Sequence, residues 1–271
     1  MFHYITNRKG GVGKTTLTVY LATAVALLTE EPVLLIDTDP QNNAGMVMGF
    51  DDTQLRRASI ESYLRHGGSV MNYVVERDEF LGCHLMGSGH YDLVLTERGE
   101  RGAVDFADFL IEVARLPYRH VFFDSPPAFG VIQQLCLRAC ESVLIPVQPG
   151  YLPFEGLKLL VASIYRCLQG RSTPLESLNV VVNHRQNPNS FALLMERELR
   201  EGMGNLVMET VIPHSQWFER CAAEGLNLLE RVKGNPPVLQ ALHNFAKEYL
   251  DRLRIVEQKG QDFSTDLVQF S

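Results

Sequence analysis

The 271-residue chain lacks the features that mark secreted, membrane-spanning or disulfide-bonded proteins. Its five cysteines are scattered without a Cys-x-x-Cys pair, which favours a reducing cytoplasm over a disulfide framework. A strand-like segment begins at residue 2, so no signal peptide is expected, and the most apolar helical segment, residues 16–28, is too short to span a bilayer. Linkers rich in proline and serine, repeats and low-complexity tracts are also missing. We therefore expect a single cytoplasmic domain over residues 1–256.

Composition narrows the class of protein further. A hydrophobic share of 45%, a charged share of 21% and a net charge of −7 are ordinary for a soluble globular protein. Cys136 and Cys140 share one helix face and could hold a metal, but no second cysteine pair or histidine cluster accompanies them. Small buried residues are the favoured reading of this pair. Residues 257–271 are polar and acidic, and we expect a loose C-terminal tail.

One glycine-rich motif dominates what is present. It consists of Lys9, Gly10, Gly11, Val12, Gly13, Lys14, Thr15 and Thr16. A short strand-like segment precedes it, and apolar residues at helical spacing follow it as far as Leu28. In this context the glycines let backbone N–H groups surround phosphate oxygens at a helix N-terminus. Lys14 is expected to reach the β- and γ-phosphates, and the hydroxyl of Thr15 to bind Mg²⁺.

Acidic residues end two strongly apolar segments. Residues 32–36 lead into Asp37 and then Asp39, and residues 120–123 lead into Asp124 and a Ser-Pro-Pro turn. Such runs are typical of parallel strands buried on both faces, and ligands bind at the carboxyl ends of these strands. Further strand-like runs at 143–147, 178–183 and 207–213 alternate with helical segments. The pattern predicts an α/β fold, with a mostly parallel twisted sheet covered by helices on both faces.

The motif with its additional first lysine, Lys-Gly-Gly-x-Gly-Lys-Thr, resembles the deviant Walker A loop of the ParA/MinD class of ATPases. The Asp-x-Asp-Pro-Gln segment at 37–41, the Asp-x-Pro-Pro segment at 124–127 and the Ile-Pro-Val-Gln-Pro segment at 145–149 are also similar to that family. The matches extend from residue 2 to about residue 226. The resemblance implies a P-loop ATPase of the small ParA type that uses ATP and Mg²⁺.

The resemblance also implies roles for individual residues. Lys9 would reach across a homodimer interface to the nucleotide of the partner. Asp39 would position or activate the attacking water, with Asp37 near the Mg²⁺ shell. Asp124 would hold a water bound to Mg²⁺, and Asn43 would lie in a switch-like turn that senses the γ-phosphate.

Other positions resemble adenine contacts and an interface helix. Asn183 and the backbone near Pro213 match adenine-contacting positions of the family. The guanine-reading motif Asn-Lys-x-Asp is missing, so ATP is preferred to GTP. The apolar residues between Leu157 and Leu168 predict a helix that either contributes to the dimer interface or only packs against the sheet. A last helix is predicted over residues 236–256.

The family resemblance favours DNA partition or intracellular cargo positioning. Such ATPases bind nucleoid DNA without sequence preference as ATP dimers, and an adaptor protein stimulates their hydrolysis. Candidate DNA-contacting residues are Arg220, Arg231, Lys233, Arg252 and Arg254. The alternative is a membrane-cycling ATPase similar to MinD, which requires a basic amphipathic C-terminal helix. Residues 262–271 contain no basic residue, and the cysteines do not match those of iron–sulfur carriers.

Overall fold

The computed structural model describes residues 1–128, 130–149, 153–171, 175–185, 190–231 and 236–259. Within these ranges seven strands form one sheet: β1 (Phe2–Ile5), β2 (Val33–Asp37), β3 (Cys83–Met86), β4 (His120–Asp124), β5 (Ser142–Val147), β6 (Ser177–Arg185) and β7 (Val207–Pro213). Their order is β3-β2-β4-β1-β5-β6-β7, and all neighbouring strands run parallel. The predicted parallel α/β sheet is confirmed.

The α-helices of the described residues alternate with these strands. They are α1 (Lys14–Thr29), α2 (Asn43–Val47), α3 (Asp52–Arg57), α4 (Ile60–His66), α5 (Tyr91–Glu97), α6 (Glu100–Val113), α7 (Val131–Ala139), α8 (Pro153–Leu168), α9 (Ser190–Met203), α10 (Gln216–Glu224), α11 (Leu228–Arg231) and α12 (Pro237–Lys259). No helix among the described residues combines the length and apolar character needed to cross a bilayer. Helix α12 continues three residues beyond the predicted end at residue 256. Residues 260–271 of the predicted tail lie outside the described residues, and the domain boundary stays a prediction.

The sheet separates two apolar cores. Every residue of β2 and β4 is buried, because helices cover both faces of the sheet. On one face α1 and α12 contribute Val25 and Phe245, and on the other α6 and α8 contribute Phe109 and Val161. Cys136 joins the second core, and together with Cys140 it is fully buried, which confirms the predicted packing role of this pair.

The strand register places the functional residues at one level. Ile5 at the end of β1 pairs with Asp124 at the end of β4, and Asp124 pairs in turn with Asp37 at the end of β2. The loop after β1 therefore begins beside two carboxylates that are far apart in the sequence. The carboxyl edge of a parallel sheet is where ligands bind in open α/β folds.

A buried polar network ties the opposite part of the sheet to α12. In His3, the imidazole Nδ1 lies 2.9 Å from the hydroxyl oxygen of Tyr249, and Nε2 lies 2.9 Å from Nδ1 of His120. The Tyr249 hydroxyl is also 2.7 Å from Oγ of Ser142. Burial lowers the pKa of both histidines, and it lowers that of His120 to about 4, with help from the N-terminal ammonium and Arg119.

The low pKa of His120 predicts a loss of stability in acid. Its imidazole remains neutral in the folded protein, whereas the unfolded chain takes up the proton below its ordinary pKa of about 6.5. This histidine's contribution to stability is therefore present above about pH 6.5 and is lost as pH falls toward about 4. Urea unfolding between about pH 6 and 5 should show that the wild type loses about 1.4 kcal/mol per pH unit more than His120→Gln.

The comparison with the variant is needed because Asp37 and Asp124 titrate in the opposite sense. Burial raises the pKa of both carboxyls, so their folded forms bind protons more readily than the unfolded chain does. This contribution is common to wild type and variant. Substitution of the exposed His243 by Gln serves as the control and should leave the wild-type slope unchanged. Equal slopes for wild type and His120→Gln would contradict the assignment.

Candidate nucleotide-binding site

The loop between β1 and α1 has the backbone shape of a phosphate cradle. Gly11 and Gly13 have φ values of 72° and 82°, a left-handed conformation that favours glycine. A β-carbon on Gly13 would lie 2.4 Å from Nδ2 of Asn183, so glycine is also required by space. Helix α1 begins at Lys14 without a side-chain cap, which leaves its first N–H groups available to an anion.

A side chain just after β5 and one in β6 hold carbonyl groups of this loop. Nε2 of Gln148 donates to the carbonyl of Gly11 at 2.9 Å, and Nδ2 of Asn183 donates to that of Val12 at 2.7 Å. These contacts fix two of the loop's carbonyl oxygens on the protein side. The arrangement suits a loop that presents its N–H groups to a ligand.

A cavity of about 540 Å³ opens above the loop. Its lining includes eight residues predicted for the site: Gly10, Gly11, Gly13, Lys14, Thr15, Thr16, Asp39 and Asn43. Pro127 of the Asp-x-Pro-Pro segment also lines the cavity, and four residues that the sequence did not indicate complete the wall: Met46, Val47, His184 and Ala222. Asn183 is buried beneath the loop, and Pro213 ends β7 in register with Arg185. Contact of either residue with adenine stays a prediction.

Asp37 organises the segment that follows β2. Its carboxylate is fully buried and accepts the backbone N–H groups of Asp39 at 2.8 Å and Ala44 at 2.9 Å. Burial, together with the nearby charge of Asp124, raises the pKa of Asp37. The side chain thus shapes the turn that leads into α2, while its predicted place near the Mg²⁺ shell stays a prediction.

Asp124 offers a free carboxylate oxygen to the site. Its Oδ1 accepts from the Thr18 hydroxyl at 3.3 Å, whereas the buried Oδ2 has no hydrogen-bond partner in the described part of the chain. Burial raises the pKa of Asp124 to about 7, and the hydroxyl of Thr15 and the charge of Lys14 act in the opposite direction. A divalent cation beside this oxygen would stabilise the ionised form. The residues present therefore fit a magnesium ion.

The small number of protein ligands also suits magnesium. Among the described residues, no three histidine, cysteine or acidic side chains are grouped so that they could hold a metal. Magnesium usually keeps several waters and takes one or two carboxylates plus phosphate oxygens from its substrate. Thr15 and Asp124, with a bound nucleotide, would supply such a set.

Lys14 and Asp39 supply charges of opposite sign to the cavity. The Lys14 side chain is buried, and burial lowers its pKa, although the carboxylates of Asp124 and Asp39 oppose this shift. Asp39 is half-buried and accepts the backbone N–H of Gln41 at 3.0 Å. Lys14 can thus neutralise an anion, and Asp39 presents an oxygen acceptor across the cavity.

Asn42 anchors the segment that carries Asp39 and Asn43. It adopts a left-handed conformation with φ of 52°, and its Oδ1 accepts the backbone N–H groups of Ser88 at 2.7 Å and Gly89 at 3.2 Å. Asn43 then begins α2 and lines the cavity. This placement agrees with the predicted switch position of Asn43, whose sensing role stays a prediction.

Comparison with known proteins places the chain in a family. A sequence profile described as an AAA domain matches residues 3–176. The chain is 33% identical over 216 residues to the chromosome partitioning protein ParA of Caulobacter vibrioides, covering 78% of this chain and 79% of that protein. The chain belongs to the ParA/MinD family of ATPases.

Solved structures share the fold of this ParA/MinD family member. Cobyrinic acid a,c-diamide synthase of Mycobacterium smegmatis, with bound ADP and magnesium, is similar with a TM-score of 0.73 and 22% identity over 96% of each chain. An ATP complex of Cyanothece McdA has a TM-score of 0.74 and 21% identity, covering 92% of this chain and 96% of that one. At these identities the likeness concerns the fold.

His184 is a cavity residue that no family motif indicated. Its φ of 54° is uncommon for a residue with a side chain. The amide nitrogen of Gln148 lies 3.2 Å from Nδ1 of His184, and the same nitrogen donates to the carbonyl of Gly11. Nδ1 therefore accepts, and the neutral ring carries its proton on Nε2, near Gly13. Burial, with the neighbouring His214, lowers the pKa of His184.

The predicted interaction residues of this ParA/MinD family member have different surroundings. Lys9 is exposed beside the loop, and its backbone N–H donates to Oδ1 of Asn7 at 2.9 Å. Arg220 is exposed on α10, with its guanidinium 5.6 Å from the ring centroid of Trp217. Lys233 and the side chains of Arg231 and Arg254 lie outside the described residues.

Arg252 is occupied within the molecule. Its guanidinium pairs with Glu248 at 2.9 Å and donates to Oδ1 of Asn179 at 3.2 Å. It also donates to the backbone carbonyls of Asn205 and Val207 at 2.6 and 3.1 Å. These contacts join α12 to β6 and β7, so a contact of Arg252 with DNA would require the side chain to leave several partners.

Proposed function

We propose that this chain is a ParA-type ATPase that uses ATP and Mg²⁺ to switch between monomer and dimer, and so segregates DNA or positions an intracellular cargo. The observation that carries the proposal is the pairing of a pinned glycine loop with Asp39 and Asp124 at the carboxyl edge of the sheet. The similarity to a chromosome partitioning protein supports the partition role.

The cavity residues would have different roles in ATP hydrolysis. The loop N–H groups and Lys14 would hold the phosphates, while Thr15 and Asp124 would hold Mg²⁺, which neutralises charge on the phosphates. Asp39 would orient the attacking water from the opposite wall. Phosphoryl transfer depends on positioning and electrostatic stabilisation more than on covalent chemistry of the protein. We infer a slow reaction that a partner protein accelerates.

Dimer formation would depend on Lys9. This residue is exposed at the start of the loop, where its ammonium group can approach a facing subunit. In the proposed dimer, Lys9 of each subunit neutralises charge on the nucleotide of the other. Loss of the γ-phosphate on hydrolysis weakens that contact, so the nucleotide cycle sets the lifetime of the dimer.

The proposed DNA contact uses local positive charge on the ATP dimer. Phosphate contacts need local charge, so a net charge of −7 does not oppose them. Arg220 is the best placed of the candidates with described side chains, because it is exposed on α10 beside Trp217. Arg231, Lys233 and Arg254 remain candidates from the sequence. Nucleoid association in the ATP-bound state follows from this proposal.

The test is binding of Asp39→Ala to random-sequence duplex DNA with ATP, ADP or no nucleotide, over a salt series. We expect binding only with ATP, and a steep fall as salt rises, because each phosphate contact adds about 0.9 to the slope of log affinity against log salt. Arg220→Ala should reduce the slope by about 1. The exposed Arg115, changed to Ala, is the matched control and should leave the slope unchanged.

Two outcomes would count against this function. DNA binding that is independent of nucleotide would remove the switch from the proposal. An ATP dimer that binds no DNA at low salt would exclude nucleoid attachment and leave a protein scaffold or an anionic membrane as the surface on which the ATPase acts. Anionic lipid vesicles, tested with the same three nucleotide states, would distinguish these two alternatives.

A further inference from the structure

The ends of α2 and α10 meet behind the cavity at two glycines. Gly49 and Gly225 both have left-handed backbones, with φ of 76° and 61°. A β-carbon on Gly49 would lie 2.7 Å from Cα of Gly225, and one on Gly225 would lie 2.5 Å from Cα of Gly49. Because no side chain separates them, the segments that end the two helices touch through their backbones.

Arg77 closes this junction from the side. Nη1 of its guanidinium donates to the carbonyl of Met48 at 3.1 Å and also to the carbonyl of Gly49. Glu79 pairs with the same guanidinium through both carboxylate oxygens, at 3.0 and 3.1 Å. The guanidinium carbon lies 5.9 Å from the ring centroid of Phe50. A planar, charged side chain thus binds the carbonyl groups of the two residues that directly follow α2.

Both joined helices form part of the cavity wall. Met46 and Val47 of α2 line the cavity on one side of this junction, and Ala222 of α10 lines it on the other. The outer surface of α10 carries Trp217 and Arg220. Helix α2 has only five residues, so we expect it to move as one body. A displacement of its first residue, Asn43, would then also displace Gly49.

We propose that Arg77 is a positioning residue that couples α2 to α10, so that the nucleotide bound beside Asn43 changes the order of α10. The inference rests on the proposed function, because it requires a nucleotide in the cavity. Nη1 of Arg77, which donates to both carbonyl groups after α2, also packs against Gly225, where a β-carbon would lie 3.3 Å from it, so the guanidinium holds the end of α2 against the end of α10. Coupling of this kind needs a physical link between two elements, and the junction supplies one.

Hydrogen exchange of the full-length protein tests the coupling. Amide exchange is measured without nucleotide and with a non-hydrolysable ATP analogue, in α2 and in α10. In the wild type we expect the analogue to slow exchange about fivefold or more in both helices. In Arg77→Gln the protection of α2 should remain, whereas that of α10 should largely disappear. ADP affinity should stay within about twofold of the wild type.

Arg98 provides a matched control. It also pairs with a carboxylate, that of Asp105 at 2.7 Å, and donates to a backbone carbonyl, that of Leu64. Its side chain is 33% exposed, compared with 26% for Arg77, and it does not line the cavity. Arg98→Gln should therefore retain the wild-type pattern. Arg77→Lys keeps the charge but lacks the planar fork, so it should behave as Arg77→Gln does.

The outcomes separate this inference from the proposed function. Protection of α10 that persists in both Arg77 variants would overturn the coupling role, as would the same loss in Arg98→Gln. Protection of the loop but not of α10 in the wild type would overturn it while leaving ATP binding intact. Absence of protection at the loop would overturn the proposed function and this inference together. Unfolding of both Arg77 variants in a thermal melt would show a structural role and also overturn it.

Discussion

Lys14→Ala is expected to weaken ATP binding at least about 100-fold, a loss of about 2.7 kcal/mol or more. Lys14 is the buried cation of the cavity, and its charge already interacts with Asp124 and Asp39. Without it, the phosphates of the nucleotide would face two carboxylates, because no other lysine or arginine lines the pocket among the described residues. Titration calorimetry with ATP and ADP measures the loss directly.

The control for this substitution is Lys247→Ala, which removes an exposed cation on α12. It should bind ATP as the wild type does. The thermal melt of Lys14→Ala should show a folded protein, since Lys14 belongs to neither of the two apolar cores. Unchanged ATP affinity in folded Lys14→Ala would remove the phosphate-loop assignment.

Asp39→Ala is expected to lower the rate of ATP hydrolysis about 100- to 1000-fold while ATP affinity changes only a few-fold. Asp39 lines the cavity and is half-buried, whereas Asp37 is fully buried with both oxygens occupied by backbone N–H groups. Of the two carboxylates, Asp39 is thus the one placed to meet a water molecule. Single-turnover hydrolysis at saturating ATP measures the effect.

Asp39→Asn separates the chemistry from the local structure. Its amide oxygen can still accept the N–H of Gln41, yet it is a poor base, so we expect a loss of rate similar to that of Asp39→Ala. Asp37→Asn should instead lower the thermal stability, because an amide cannot replace both acceptor oxygens that hold Asp39 and Ala44. Normal turnover in both Asp39 variants would show that the water is positioned elsewhere.

Much of the sheet and the loop could be predicted from the sequence because their signals are local. A strand buried on both faces appears as an apolar run, as in β2, where every residue is buried. The edge strand β7 has an exposed Glu209, yet its predicted bounds agree with those in the structure, Val207–Pro213. Strand β3, by contrast, has only four residues and includes His84, so its place at the sheet edge depends on pairing with β2. Such pairing leaves little trace in a short segment.

The site could be predicted less completely, because several roles depend on contacts between residues that only the fold brings close to one another. Asp37 carries the same charge as Asp39, yet only the structure reveals that its oxygens hold the turn. His184 enters the cavity through an uncommon backbone conformation and the amide of Gln148. Arg252 has the charge expected of a DNA contact, but its guanidinium already donates hydrogen bonds to Glu248 and Asn179.

The pinned carbonyls of Gly11 and Val12 have a consequence for selectivity. Gln148 and Asn183 hold the loop in one conformation, so the loop loses little conformational entropy when it binds an anion. We expect such a rigid loop to bind ADP with nearly the same affinity as ATP. We therefore expect discrimination between ATP and ADP to depend on the facing wall, where hydrogen bonds of Asp37 and Asn42 hold the segment that carries Asp39 and Asn43.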